Sequence, residues 1–407
     1  MTGPLQGIKV LDLSWILSGP FCTMILGDQG AEVIKVERPG VGDGSRGTGP
    51  FVPYRDVPGH GDGQESAYFM SINRNKKSVT INLADSRGVG LFLQLVEQVD
   101  VVVENFTPGT MERLGIGYSV LNKRNPRIVY CGISGFGKSG RYANRPALDV
   151  IVQAMGGIMS ITGEPGRGPV RVGASVGDII AGLFAANGIV SALYERESSG
   201  KGQMLDLSML DCQVATLENA FSRYFATNEI PTPLGTRHPS ATPFQAFATL
   251  DGWIVVAIFG GNQTQWPLFC AAIEHLELID DVRFQTSWDR TQHIDILEPI
   301  ISEAMRKKTT QEWQDELLMQ EIPCGPVNSI DQVATDPQIA DREMLVTRPH
   351  TRVGEWTYIN TPIRLSRTPG GIKTQAPDLG EHTQTVLEQF LGMKSEEIVR
   401  LQEYGVL

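Results

Sequence analysis

The sequence predicts an α/β protein, with a parallel sheet covered by helices and a second, smaller α/β domain. Three observations carry this. Short apolar runs alternate with helical segments over about the first 135 residues, the pattern of βαβ units. The chain has 407 residues, well beyond the roughly 150 of a common domain. Near residue 228 the pattern changes to a connector, a hairpin and a run of helices.

The elements follow in order. GIKVLDLS is an apolar strand, and GPFCTMILGDQG a helix ended by glycine. AEVIKVERP is a second strand, closed by Pro39, and SVTINL a third. DSRGVGLFLQLVEQV is helical, DVVVENF a fourth strand and RIVYCGISGFG a fifth. Strands this apolar are buried on both faces, as in parallel sheets. Ligands of such sheets bind beyond the carboxyl ends of the strands, here ERPG, ENFTPG and ISGFGKSG.

Residues 147–198 read as two helices joined by a glycine-rich link, and a helix runs from GKGQMLDLSMLD to about residue 227. NEIPTPLGTRHPSATP is a connector; FQAFATLDGWIVVAIFG is a hairpin with Asp251-Gly252 as its turn. Residues 1–227 are thus a large domain, 228–330 a small α/β domain and 331–407 a C-terminal part with the strand GEWTYINTPIRLS and the helix HTQTVLEQFLG.

Composition excludes several classes. The net charge of −11 argues against a nucleic-acid protein or a binder of anionic membranes. With 20% charged and 41% hydrophobic residues, the chain is not of disordered composition. Five dispersed cysteines, Cys22, Cys131, Cys212, Cys270 and Cys324, have no CxxC spacing and read as reduced thiols of a cytoplasmic protein. Six histidines show no HExxH or HxxxH arrangement, so no metal site is expected. The N-terminus enters a strand without a basic and apolar leader, and no uninterrupted apolar run reaches the ~18 residues of a membrane span.

Three groups of residues could carry chemistry. GASVGDIIAGLFAANG, residues 173–188, puts Asp178 in the first turn of an apolar helix. Ser175 or Asp178 itself suits the cap, which is the commoner role for an acidic residue there. A carboxylate kept ionised by the helix terminus also suits a nucleophile. Gly173, Gly177 and Gly182 lower helix propensity and permit close approach by a ligand or another backbone. The second group is basic. Lys35 and Arg38, Arg74, Lys76 and Lys77, and Arg113 beside Asn105 would form a phosphate-binding patch if they converge, and would otherwise solvate loops. GISGFGKSG lacks the spacing of a Walker loop. Third, Gly260, Gly261 and Asn262 follow the strand WIVVAI; such a loop can hold an oxyanion or be an ordinary strand-to-helix turn.

Several segments together resemble the class III CoA-transferases, the group of formyl-CoA transferase, carnitine CoA-transferase and α-methylacyl-CoA racemase. They are GIKVLDLSWILSGPFCTMILGDQGAEVIKVERPGVGD, INRNKKSVTINL, VVVENFTPGTMERLG, SALYERESSGKGQMLDLSMLD and HPSATPFQAFATLDGWIVVA. They cover most of the chain in order. The resemblance implies a Rossmann-like large domain with a parallel sheet built from both chain ends, a smaller domain between, and two ring-shaped chains interlocked as a homodimer. It implies that Asp178 is the catalytic aspartate and that Gly260 and Gly261 form a mobile loop over the site. Contacts with CoA are implied at Arg38, at Ile72, Asn73, Arg74 and Asn75, at Asn105, Phe106 and Thr107, and at Arg113. Leu17, Ser134 and Phe136 join that set. Coenzyme A enters as the acyl-CoA substrate, with no built-in cofactor, and a small carboxylic acid is its partner.

Two departures separate branches of the family. The racemases place a histidine before the aspartate of the segment matching RPALDVIVQ; here Leu148 precedes Asp149, and leucine transfers no proton. Oxalate-using formyl-CoA transferases carry a glutamine where this chain has Leu17, which puts oxalate in doubt. GDQGAEVIKVERPG, NRNKKS and GTRHPSATPFQAF look more like the succinyl-CoA-dependent dicarboxylate transferases. The expected activity is CoA transfer from a succinyl-CoA-like donor to a small mono- or dicarboxylic acid through an aspartyl-CoA thioester. The alternatives are an acyl-CoA racemase or isomerase and a formyl-CoA:oxalate transferase.

Overall fold

The computed structural model describes residues 3–55, 63–259 and 264–407. The chain divides into two compact units. The larger comprises Met1–Ile158, Arg171–Ser222 and Pro337–Leu407, the smaller Met159–Val170 and Arg223–Asp336.

The large unit is organised by six strands: β1 Lys9–Asp12, β2 Glu32–Glu37, β3 Lys76–Thr80, β4 Val101–Glu104, β5 Val129–Ser134 and β6 Met204–Ser208. All neighbours are parallel, in the order β3-β2-β1-β4-β5-β6. Successive side chains of a strand point to opposite faces, and β1 shows both being used. Leu11 packs with Phe92 and Leu95 of helix α3, Ser86–Val96. Val10 packs with Cys22 and Leu26 of α1, Ser18–Asp28, and with Ala181 and Ala185 of α5, Val176–Ser199. Two further helices matter below: α2, Ala67–Ile72, and α4, Asp149–Met155. Strand order reverses on either side of β1, so a crevice opens at the carboxyl ends of β1 and β4.

β6 departs from the sequence reading, which runs a helix from this segment onward. Its residues alternate between exposed and half-buried, with Asp206 in the middle. An edge strand with one wet face lacks the continuous apolar run of its neighbours. The next helix starts only after Ser208, whose hydroxyl accepts from the Asp211 N–H at 3.1 Å.

The expectation of a sheet built from both chain ends needs correction. All six strands lie between residues 9 and 208. The C-terminal part instead supplies a hairpin, Leu345–His350 with Gly354–Ile359, and two helices, Thr383–Leu391 and Ser395–Glu403. Their Val386, Leu387 and Ile398 complete the core on the α3 face.

Helix α5 is long and apolar enough to cross a bilayer by length and composition, with a mean hydropathy of 1.7. In the large unit it packs along α1, and its Ala181, Ala185 and Ile189 are fully buried. Gly182 makes this approach possible. A Cβ there would stand 2.8 Å from the Ser18 carbonyl oxygen and 3.1 Å from the Phe21 ring.

The small unit holds an antiparallel sheet of β7 Phe244–Ala248, β8 Trp253–Ala257 and β9 Cys324–Pro326. Ala248 pairs with Trp253, so the Asp251-Gly252 turn lies where the sequence puts it. Helices α6, Ile294–Met305, and α7, Thr310–Met319, bring Leu297, Ile301, Trp313 and Leu317 onto it. Thr309 and Glu312 form a capping box at the start of α7.

Candidate active site

The crevice at the carboxyl ends of β1, β2 and β4 is a cleft of about 630 Å³. Trp15, Arg38, Asp43, Leu83, Phe106 and Thr110 are among its lining. Lys35 and Asp43 in its lining belong to a buried ionic network. Lys35 Nζ lies 2.8 Å from Asp43 and donates to the Ser14 carbonyl at 2.8 Å. Lys76 Nζ lies 3.0 Å from Asp12, and the Thr23 hydroxyl donates to Asp12 at 2.6 Å. Burial raises the Asp12 pKa, but Lys76, Lys35 and two hydroxyl donors outweigh it and hold the group at about 2.

That network separates the basic residues singled out in the sequence. Lys35, Arg74 and Lys76 are buried and ion-paired; the Arg74 fork holds Asp28 at 2.6 and 3.1 Å. Lys77 pairs with Glu32 at 2.6 Å. Arg38 and Arg113 stay exposed. Arg38 lines the cleft, while Arg113 donates to the Thr110 hydroxyl at 2.7 Å.

The remaining expected contacts sort by location. Ile72 packs with Leu17 and Met24. Asn73 is fully buried, donates to the Phe69 carbonyl and accepts from Lys76. Asn75 has a positive φ of 61° and bonds to Asp28 and to the backbone of Gly371, Lys373 and Thr374. The side chains of residues 73–75 are therefore engaged within the fold. Asn105 clamps the β1 loop, accepting from the Trp15 N–H at 2.9 Å and donating to its carbonyl at 2.8 Å. The Phe106 N–H is held by Glu104 at 2.8 Å, and Thr107 is exposed. Ser134 ends β5 and Phe136 follows it, neither in the cleft lining; the Ser134 hydroxyl is buried without a partner, and Phe136 meets Tyr142 edge-on at 5.8 Å. Gly260 and Gly261, with Asn262, lie outside the described residues.

Asp178 is the third residue of α5 and is half-buried. Ser175 occupies the N-cap position without a side-chain capping bond. The capping carboxylate comes from α4: Asp149 Oδ1 accepts the Gly177 N–H at 2.9 Å. The expectation that the helix start keeps Asp178 readily ionised is corrected here. Burial, with Asp149 as a second and like charge, pushes its pKa up to about 7.

Sequence reasoning missed Tyr68. This α2 residue joins the apolar cluster of Leu17, Met24 and Ile72, which also includes Ile179. Its hydroxyl is pushed up to about 12 by burial first and then by Asp178, Asp43 and Asp149. Tyr68 is therefore within electrostatic reach of Asp178. Leu17 packs in this same apolar cluster. A lone tyrosine in a short helix carries no spacing signature that would have revealed it.

The large unit thus presents a cleft beyond parallel strands, two exposed arginines near it, and a carboxylate poised near neutrality. This suits a long, anionic, ester-like ligand and nucleophilic acyl chemistry. Comparison with known proteins agrees. The profile described as CoA-transferase family III matches residues 5–383. The mouse (Mus musculus) succinyl-CoA:glutarate CoA-transferase is 38% identical over 404 residues, covering 99% of this chain and 90% of that protein. The acetyl-CoA:oxalate CoA-transferase of Acetobacter aceti is 42% identical over 395 residues, covering 95% and 96%. A crystal structure of a CAIB/BAIF family protein from Brucella suis superposes with a TM-score of 0.83 at 35% identity, covering 96% of this chain and all of that one. A match spanning nearly the whole chain, joined to a site of this chemistry, places the protein in CoA-transferase family III, as an enzyme that moves coenzyme A between acids.

Proposed function

We propose that the enzyme transfers CoA from a succinyl-CoA-like donor to a small carboxylic or dicarboxylic acid, with Asp178 as nucleophile. The observation that carries this is the state of Asp178. It stands in the first turn of α5, half-buried and relieved of capping by Asp149. A desolvated carboxylate with a pKa near 7 is both available at neutral pH and more reactive than a hydrated one.

The Asp178 carboxylate attacks the thioester carbonyl of the donor, the C–S bond breaks, and CoA thiolate leaves a mixed anhydride. The thiolate attacks the aspartyl carbonyl, giving an aspartyl-CoA thioester and the free donor acid. The acceptor carboxylate attacks this thioester and expels the thiolate. The thiolate then takes the acceptor's acyl carbon, and the Asp178 carboxylate is restored. No net proton is consumed, and the thioester energy is conserved. Arg38 and Arg113 suit the phosphates of CoA.

Relatives named for glutarate and for oxalate both act on dicarboxylic acids, which supports that acceptor class. Leu148, 71% exposed before α4, offers no group for proton transfer and disfavours a racemase. Leu183, Phe184 and Tyr194 of α5 and Ile151 and Met155 of α4 are exposed apolar side chains, which suits burial against a second copy in a homodimer. Cys22, Cys131, Cys212 and Cys270 are buried free thiols, in keeping with a cytoplasmic location.

The test is Asp178→Ala assayed with succinyl-CoA against acceptor acids. Loss of transfer with CoA binding retained is expected. Hydroxylamine added during turnover of the native enzyme should leave a mass-labelled Asp178. Full activity of the variant would overturn the assignment.

A further inference from the structure

Asp149 makes more bonds than a helix cap requires. Its Oδ1 accepts the Gly177 N–H at 2.9 Å, one residue before Asp178. Both its oxygens accept from Gln153 Nε2, at 3.1 and 2.9 Å. Its Oδ2 lies 3.1 Å from Arg171 Nη2. Gln153 in turn accepts the Val172 N–H at 3.0 Å and donates to the Ala174 carbonyl at 3.4 Å. One carboxylate therefore ties α4, the segment 171–175 and the first turn of α5 together.

The geometry points to Asp149 and Arg171 as a positioning pair that holds the first turn of α5 and governs the charge on Asp178. This rests on Asp178 being the nucleophile. The physical reason is a division of labour between two carboxylates. A helix N-terminus supplies free N–H donors and positive potential, and a carboxylate in the first turn normally uses both. Asp149 takes the Gly177 donor from outside the helix and places a negative charge beside Asp178. Burial already disfavours the Asp178 anion, and this neighbouring like charge adds to the rise of its pKa. Arg171 offsets part of the Asp149 charge from the solvent side, being 44% exposed.

Other groups around Asp178 do not supply this effect. From α2 the neighbour is Tyr68, neutral at physiological pH. From α1 the ionisable groups are Cys22, a buried thiol pushed well up, and Asp28, bound to Arg74. Asp43 is bound to Lys35. Gly177 also has no room to give: a Cβ there would lie 3.0 Å from Asp149 Oδ1.

Two charge-changing variants test the pair by opposite shifts. Asp149→Asn keeps an oxygen for the Gly177 N–H, because asparagine caps as well as aspartate. It should move the acid limb of the pH profile of kcat/KM down by about one pH unit, as loss of a neighbouring like charge does. Arg171→Gln exposes Asp178 to the full Asp149 charge and should move the limb up by roughly half a unit. A purely structural pair would lower activity at every pH and shift the limb in neither variant. Asp149→Ala, with the cap gone, should lower Tm, and Asp149→Asn should keep it near the native value. Unshifted profiles in both charge variants, in folded protein, would overturn the inference while leaving the nucleophile assignment standing. Activity surviving in Asp178→Ala would instead overturn the nucleophile and this inference with it.

Discussion

Asp149 Oδ1 and the Gly177 N–H are 2.9 Å apart, so the helix that carries Asp178 is capped from a different helix. The carboxylate that looks in sequence like the cap is free for other chemistry; burial raises its pKa, and the carboxylate that does the capping adds to that rise.

The first consequence is a pH dependence with a definite sign. Asp178 is protonated below about pH 7 and then cannot attack. Transfer should fall through an acid limb near that value, measured as kcat/KM for the donor across pH 5–9. A limb near pH 4, the ordinary carboxylate range, would contradict the raised value.

The same shift makes a stability prediction. A carboxyl whose pKa is raised in the folded state binds more protons than in the unfolded chain, so its ionisation costs stability as pH rises from the unfolded value of 3.8 to about 7. Asp178→Asn should be more stable than the native enzyme at pH 8, on the order of a few kcal/mol at most. The difference should vanish towards pH 4. Denaturant melts at both pH values check this.

Two arginines of the sequence-derived patch should behave oppositely. Arg38→Ala should raise KM for acyl-CoA about tenfold with little change in stability, since it removes one charge-assisted contact from an exposed side chain. Arg74→Ala leaves Asp28 buried and unpaired, which costs about 3–5 kcal/mol. Steady-state kinetics and urea melts on both variants separate the roles; the reverse pattern would contradict them.

Gly182→Val tests the contact between α1 and α5. Its Cβ would meet the Ser18 carbonyl oxygen at 2.8 Å, and backbone cannot move aside as a side chain would. Overpacking should cost about 1–3 kcal/mol. It should also lower activity, because α1 begins beside Leu17 and α5 begins beside Asp178. Unchanged melting would show the helices less closely packed.

Leu17→Gln probes the apolar cluster around Leu17. It puts an amide among Met24, Ile72 and Ile179, at a cost of about 1–3 kcal/mol if unpaired. A gain of transfer to oxalate would accompany the loss if this position selects the acceptor. Melting and an acceptor screen measure the two effects.

Much of the fold was legible because buried parallel strands announce themselves. The β1, β2, β4 and β5 segments are rich in buried apolar residues, since both faces are covered. The edge strand β6 was not legible, because half of its residues face water and Asp206 interrupts the run. The strand Leu345–His350 was missed for a similar reason, as its Arg348 and Pro349 are exposed. The C-terminal strand was expected in the large sheet and instead forms its own hairpin; no local pattern states which partner a strand finds.

By itself the sequence determined the α/β class, the helix start carrying Asp178 and, through five ordered segments, the family. Those depend on local periodicity and on residue order. Only the tertiary structure decided which charges are free. Lys35, Arg74, Lys76 and Arg38 look alike along the chain, yet three are bound to Asp43, Asp28 and Asp12 inside the fold and one faces the cleft. Tertiary structure likewise decided that Asp149, 28 residues from Gly177, is the cap. Charge interactions act through space over a few ångströms, and the partners that set them are brought together by folding rather than by neighbourhood in sequence.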